Sequence, residues 1–526
     1  MHLEKLFRPV QKVVNVFEPA ASSYWITRFF LFRSLGLIYC IAFLAILDQW
    51  IPLLGNDGLL PVANYLDHAA EAIRKSGESP ITHLPTVFWA NSSDLFVMSC
   101  AFVGLAAASL LTAGYANAIL MVFLWLLYMS YVHVGQTWYS FGWETMTLEA
   151  TFLAILLCPT WRGSPFPRNS PPSKIVIWFY RWMLFRVMFG AGLIKLRGDP
   201  CWREFTCLIF HYETQPIPHM LSWHAHHFPE LIHKIGVLWN HFVELIVPWF
   251  FFGTRRIRIA GGLLTASFQI LLILSGNLSW LNWLTLALCI PCFDDQFLSR
   301  FIPMRTWARI VDNNTQSRMS LMRRVVIFAV TVLLLYLSME PVQNMMSPHQ
   351  IMNTSFDRLH LMNTYGAFGH VGKVRYEIVL QGTSDSIPSA SSHWLEYEFK
   401  GKPTDLERRP PFVAPYHLRL DWLIWFAAMS RVQNHPWLLH LTYKLLQNDQ
   451  AAISLIERNP FPESPPVHIR AELYRYEFTD PGNDTGAWWQ RQRERAYFPP
   501  LALDSPNLRQ FIQAYGWPLA EKVNQE

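Results

Sequence analysis

Charge is what this sequence has least of. Only 15% of its 526 residues are Asp, Glu, Lys or Arg, against about 25% in soluble domains. None of the four occurs between Asp94 and Glu144 or between Arg258 and Asp294, and each gap has room for two helical spans of roughly 17–25 residues. A soluble globular protein is thereby excluded. Cysteine is scarce too: there are seven, none beyond Cys292, so the last third of the chain must be held by packing rather than by disulfides. Cys289 and Cys292 have the spacing of a redox dithiol, yet they close an apolar run with no βαβ context around them. No GxSxG elbow, P-loop or dinucleotide fingerprint occurs. Histidine is plentiful between His211 and His241, where seven fall (His211, His219, His224, His226, His227, His233, His241), but no cysteine or carboxylate stands at structural-zinc spacing. No metal and no cofactor is expected. The net charge of +5 comes from loop arginines and gives no reason to expect nucleic acid.

What is there is hydrophobic: 52% of the chain, with 15% aromatic. Hydropathy predicts about nine spans, at 29–54, 95–114, 116–134, 144–158, 175–194, 235–252, 257–275, 278–293 and 325–339, the fourth and ninth being short for a bilayer. Arg28 and Arg33 lead straight into the first span, so no cleaved signal peptide is expected. Lys and Arg collect in 160–174, 254–258 and 294–324, which puts the N-terminus in the cytoplasm and, after nine crossings, the C-terminus outside. After Glu340 the pattern changes. VRYEIVL, HWLEYEF and VHIRAELYRYEF alternate with period two, separated by a Trp- and Leu-rich helical stretch from Leu420 to Ile456. The expected fold is a polytopic α-helical membrane domain over 1–340, followed by a β-rich, sandwich-like extracytoplasmic domain with a helical insertion over 341–526. Sequons at Asn91, Asn353 and Asn483 fall on the predicted outer side.

Charges inside spans need partners. At about 1.5 Å per residue, Glu149, Arg186 and Glu244 each lie roughly 12–17 Å from the cytoplasmic end of their spans, near the middle of a core about 30 Å thick. Arg186 is expected to pair with Glu149 or Glu244, with His241 one turn from Glu244 extending the cluster. Lys195 lies nine residues beyond Arg186, on the opposite helix face. It reads as a cation reaching for the interface, and sharing a site with Arg186 would require a break at Gly190 or Gly192.

YRWMLFRVMFGAGLIKLRGDPCWREFTCLIFHYETQPIPHMLSW, GNDGLLPV, TLEATFLAILLCP, NTYGAFG, RRPPFVAPYHLRLDWLIWFAA and NPFPESPP together resemble the lipase maturation factor family, over nearly the whole chain. The resemblance implies a polytopic membrane protein, not an enzyme, that helps secreted lipases reach an active, dimeric form, with membrane lipid and an exported client as partners. It implies the endoplasmic reticulum membrane for an animal protein and the inner membrane for a bacterial one. The short tails favour the bacterial case. Under this reading, His211, Tyr212, Glu213 and Gln215 form an outer-loop candidate site, and Arg408, Arg409, Phe412, Asp421 and Trp422 a client-facing surface. A narrower likeness links GAGLIKLRGDPCW to the vitamin K-dependent γ-glutamyl carboxylase and its bacterial relatives. It implies an alternative in which Lys195 is the general base acting on a lipid-soluble quinol. The carboxylase likeness fades outside that span.

Overall fold

A computed structural model describes residues 23–519 except 162, 167–169, 306–307, 309–318, 390 and 484–485. The N-terminal segment, part of the expected basic loop at 294–324 (306–307 and 309–318) and the last two residues of the Asn483 sequon lie outside the described residues.

Every predicted span is occupied by a helix. These are α1 (Trp25–Leu54), α2 (Asp94–Ala113), α3 (Ala118–Val134), α4 (Gly142–Leu157) and α5 (Lys174–Arg197). Two short helices follow, α6 (Cys207–Thr214) and α7 (Met220–His226). Then come α8 (Glu230–His241), α9 (Arg255–Ile273), α10 (Leu281–Cys289) and α11 (Leu321–Leu337). Among the described residues, six helical segments are long and apolar enough to cross a membrane, fewer than the nine expected; α3 and α10 are shorter apolar helices. The 16-residue α4 is central rather than lipid-facing. Its polar side chains Glu144, Thr147, Glu149 and Thr151 are all buried, which explains why hydropathy marked it as marginal.

Long-range polar groups close the helix ends. The Asp295 carboxylate accepts from the backbone N–H groups of Trp25 at 2.9 Å and Ile26 at 2.7 Å, capping α1 from 270 positions further along the chain. Arg28 and Arg323 each donate to the Leu157 carbonyl at 3.1 Å, placing positive charge at the C-terminal, negative end of α4. Arg181 and Arg258 likewise donate to the carbonyls of Pro291 and Cys292.

The β-rich part comprises β1 (Arg375–Thr383), β2 (Leu395–Glu396), β3 (Glu398–Phe399), β4 (Ile456–Arg458), β5 (His468–Phe478) and β6 (Trp489–Ala502). β2-β1-β5-β6 form an antiparallel sheet and β3-β4 a two-stranded ribbon. Helices α12 (Arg419–Ala428) and α13 (Pro436–Leu445) occupy the expected helical insertion. Period-two alternation implies one wet face, but β1 is buried on both. Ile378 and Leu380 join the main core, while Val379 packs with Tyr476, Phe478 and Trp489 beneath Trp223 of α7. The second face is dry because the α6–α7 segment covers it.

Candidate functional site

Arg186 and Lys195 stand on one unbroken helix, α5, and take different partners. Arg186 forms an ion pair with Glu149 of α4, both side chains about 98% buried or more. Glu149 also accepts from the Asn363 backbone N–H at 3.1 Å, the Asn363 amide at 3.0 Å and the Tyr365 hydroxyl at 2.8 Å. The NTYGAFG segment therefore reaches into the bundle and roofs this pair. Gly190 and Gly198 make its approach possible: a Cβ at Gly190 would stand 2.6 Å from the Tyr365 carbonyl oxygen, and one at Gly198 2.1 Å from that of Gly369. Gly190 and Gly198 serve close approach, and the helix does not break at Gly190 or Gly192, as a site shared by Arg186 and Lys195 would have required.

Lys195 is only 5% exposed, which corrects the expectation of an interfacial cation. Its Nζ donates to Glu244 Oε1 at 2.5 Å and to Asn240 Oδ1 at 3.1 Å. The Asn240 amide donates in turn to Glu244 Oε2 at 3.0 Å, and the Trp202 ring centroid lies 5.0 Å from Nζ. Glu244 is thus in a second cluster, separate from Arg186 and Glu149. Its backbone explains the placement. Pro248 has no N–H to give the Glu244 carbonyl, and its ring crowds that oxygen; the chain widens into a π-helical turn at Phe242–Ile246 and tightens to a 3-10 turn at Val247–Phe252. Such π turns are frequent at functional sites. His241 turns away from both pairs and engages the Trp202 carbonyl at 2.9 Å.

A cavity of about 400 Å³ opens beside this cluster. Lys195, Asn240 and Glu244 form one end, with His211 and Tyr212 of α6 on the same wall and mostly apolar side chains elsewhere. Burial, and then the nearby Lys195 charge, push His211 down to about 4, so its imidazole is neutral at pH 7. Glu213 points to the other side and, with the backbone carbonyl of Gln215, belongs to a seam, while the Gln215 amide donates to the Ser275 carbonyl at 2.8 Å and to Ser222 at 3.1 Å. Arg375 of β1 donates to the carbonyls of Glu213, Gln215 and Pro216, and the Glu213 carboxylate accepts from the Phe478 backbone N–H at 2.6 Å. Burial pushes the Glu213 carboxyl up from its ordinary range. Of the four outer-loop residues, two line the cavity and two fasten the sheet to the bundle.

The five residues expected on a client-facing surface divide. Arg409 and Phe412 are exposed, Phe412 by 55%. Arg408 is tied down by Glu398 at 2.8 Å. Asp421 and Trp422 are interior, which corrects their assignment. Asp421 accepts from the Gly401 and Lys402 backbone N–H groups, and Trp422 packs edge-on against Phe141, Trp143 and His417. The LRLDW run alternates like a surface segment but begins α12, whose first turn is buried against α1 and α4. Gln49 of α1 accepts from the Arg419 N–H at 3.0 Å, and Arg419 pairs with Glu144 at 3.0 Å.

The residues that sequence reasoning missed are Asn240, Asn363, Tyr365, Glu144, Arg375 and Arg419. Asn240 had a usable signal, being four residues before Glu244; the others meet their partners only across the fold.

Comparison with known proteins follows the same division of the chain. The family model described as "Lipase maturation factor transmembrane domain" matches residues 26–300, and the one described as "Lipase maturation factor C-terminal domain" matches 361–499. The chain belongs to the lipase maturation factor family. It is 45% identical to "Lipase maturation factor 1" of Mus musculus over 522 residues, covering 95% of this chain and 91% of the relative. The Homo sapiens protein of that name is 44% identical, with 94% and 91% covered. "Lipase maturation factor 2" of Rattus norvegicus is 29% identical, with 92% and 84% covered. No solved structure matches the chain. Family membership and the six apolar helices make it a multi-pass membrane protein.

Proposed function

We propose that this protein is a membrane-embedded maturation factor that assists the folding or assembly of secreted lipases, acting as a chaperone-like platform rather than as an enzyme. The observation that carries the reading is likeness to named lipase maturation factors over 95% of the chain, which includes the region after Glu340. That region is bolted to the bundle by the buried Arg419–Glu144 pair and the Arg375 seam, a geometry suited to presenting a fixed surface. In this reading the chain works as a bundle over 1–340 and a client-facing unit over 341–526, with Arg409 and Phe412 in contact with the client. β6 lies at the sheet edge and is largely exposed from Gln490 to Arg495; such an edge can receive an extended segment of another chain.

The client-facing unit lies outside the cytoplasm, in the lumen of the endoplasmic reticulum if the source is eukaryotic. The Lys and Arg bias of the loops supports this, as does the Cys201–Cys207 disulfide, which belongs in an oxidising compartment.

The maturation reading is preferred to the general-base alternative because likeness to lipase maturation factors runs through both parts of the chain, whereas the carboxylase likeness is confined to GAGLIKLRGDPCW.

The test is coexpression with a secreted dimeric lipase in cells lacking their own maturation factor. The chain should raise lipase activity per molecule secreted, and in sealed microsomes the region after Met346 should resist added protease. Unchanged lipase activity would remove the maturation reading; cleavage in intact vesicles would reverse the orientation.

A further inference from the structure

The cavity beside Lys195 has an amphipathic design with one polar end. Its volume, about 400 Å³, lies in the range of small-ligand sites. Met188, Leu208, Leu272 and Leu278 supply apolar wall. The rim includes Leu271 and Leu274 at the end of α9 and Phe228 just before α8, exposed by 53%, 49% and 54%. Both helices belong to segments long and apolar enough to span a membrane, and the rim lies at their ends beside the 224–228 stretch, so the opening between them sits where hydrocarbon meets the interface.

The inner end selects the head group. Lys195 and Glu244 cancel each other's charge, and two ammonium N–H groups are occupied by Glu244 and Asn240, leaving the third of the ammonium's donors for a ligand oxygen. Asn282 and Gln269, 4% and 3% exposed, line the same cavity with carboxamides. Among the described residues, the Trp239 indole N–H on its wall has no acceptor. A second anion here would sit against the Glu244 carboxylate and be repelled, whereas a bare hydrocarbon would leave these donors without partners. Hydroxyl and ester oxygens satisfy both constraints.

We propose that this cavity binds an uncharged, hydroxyl-bearing amphipathic lipid of the monoacylglycerol class, its head at Lys195, Asn240 and Asn282 and its acyl chain leaving between α8 and α9.

The experiment uses the full chain in phosphatidylcholine nanodiscs with a monoacylglycerol carrying a photoreactive diazirine and an alkyne in its acyl chain. Labelling should saturate, map to peptides of α8 and α9, and be displaced by unlabelled monoacylglycerol but not by lysophosphatidic acid of the same chain length. A Cβ at Gly236 would already stand 2.6 Å from Leu208 Cδ1, so Gly236→Leu fills the space between α8 and α6 and should abolish saturable labelling. Asn282→Leu removes one head-group partner without stranding a charge and should weaken competition by about fivefold, the worth of one hydrogen bond. Labelling that does not saturate, that spreads over all spans, that survives both substitutions in a monodisperse protein, or that lysophosphatidic acid displaces equally well overturns the proposal. The readout involves no lipase, so it fails or succeeds independently of the maturation role.

Discussion

Arg186 of α5 and Glu149 of α4 form a buried ion pair that is completed from outside the bundle, by the Asn363 backbone N–H, the Asn363 amide and the Tyr365 hydroxyl. Two charges removed from water are tolerated only with such a full set of partners. The same set ties the segment after α11 to the helices, so the pair is also a fastening between the two parts of the chain.

Removing one partner strands the other. Arg186→Ala should destabilise the protein by about 3–5 kcal/mol, and Arg186→Ala combined with Glu149→Ala by less than the sum of the single changes. Thermal unfolding in detergent measures both. A single variant that melts with the parent would show that the pair contributes nothing.

Gly198→Ala should loosen the NTYGAFG segment, because the new Cβ would meet the Gly369 carbonyl oxygen at 2.1 Å and backbone has to move. Hydrogen exchange should rise at residues 363–369 while α1 and α2 keep their protection. Unchanged exchange there would mean that this close approach is not needed.

Phe412 and Trp422 should part company. Trp422→Ala empties a buried aromatic cluster and should cost about 3–5 kcal/mol. Phe412→Asp with Arg409→Glu alters exposed positions and gives up only the Phe412 ring contact with His219, centroids 4.2 Å apart, so it should lower stability by no more than about 1 kcal/mol and lower the yield of active client lipase. Full lipase maturation by that double variant would place the client elsewhere.

Acid should weaken the outward part. His211 and His440 are each held at about 4, burial being the main cause, against an unfolded value near 6.5. Each contributes stability that is fully present above pH 6.5 and lost as pH falls toward 4, because the unfolded chain takes up the proton first. The slope is roughly 1 kcal/mol per pH unit per histidine within that window. Glu213 and Asp421, pushed up by burial, work in the opposite sense. Melting temperature between pH 7 and 5 should therefore fall, and fall less for His440→Gln. A flat profile in the parent would show that neither histidine is titrating between the two states.

Local chemistry was enough to mark the helices that occupy the nine predicted spans, the change of character after Glu340 and most strands, because hydropathy runs and period-two alternation are written in neighbouring residues. It also marked Arg186, Glu149 and Glu244 as charges in need of partners, since the cost of an intramembrane charge does not depend on the fold. β6 escaped because WQRQRERAYFPPLA reads as a charged run with two prolines, and only its pairing with β5 makes it a strand. Which carboxylate each cation takes was decided by tertiary structure. On an ideal helix Arg186 and Lys195 face apart; α4 with Asn363 closes on one, and the π turn before Pro248 brings Glu244 to the other. The burial of Arg419 and Trp422 was decided the same way, by α1 and α4 arriving from more than 270 positions earlier in the chain, while Asp421 is enclosed by the Gly401 and Lys402 backbone. Composition fixes that a charge must be paired or a face covered; the identity of the partner depends on contacts between segments far apart in sequence, which no local pattern encodes.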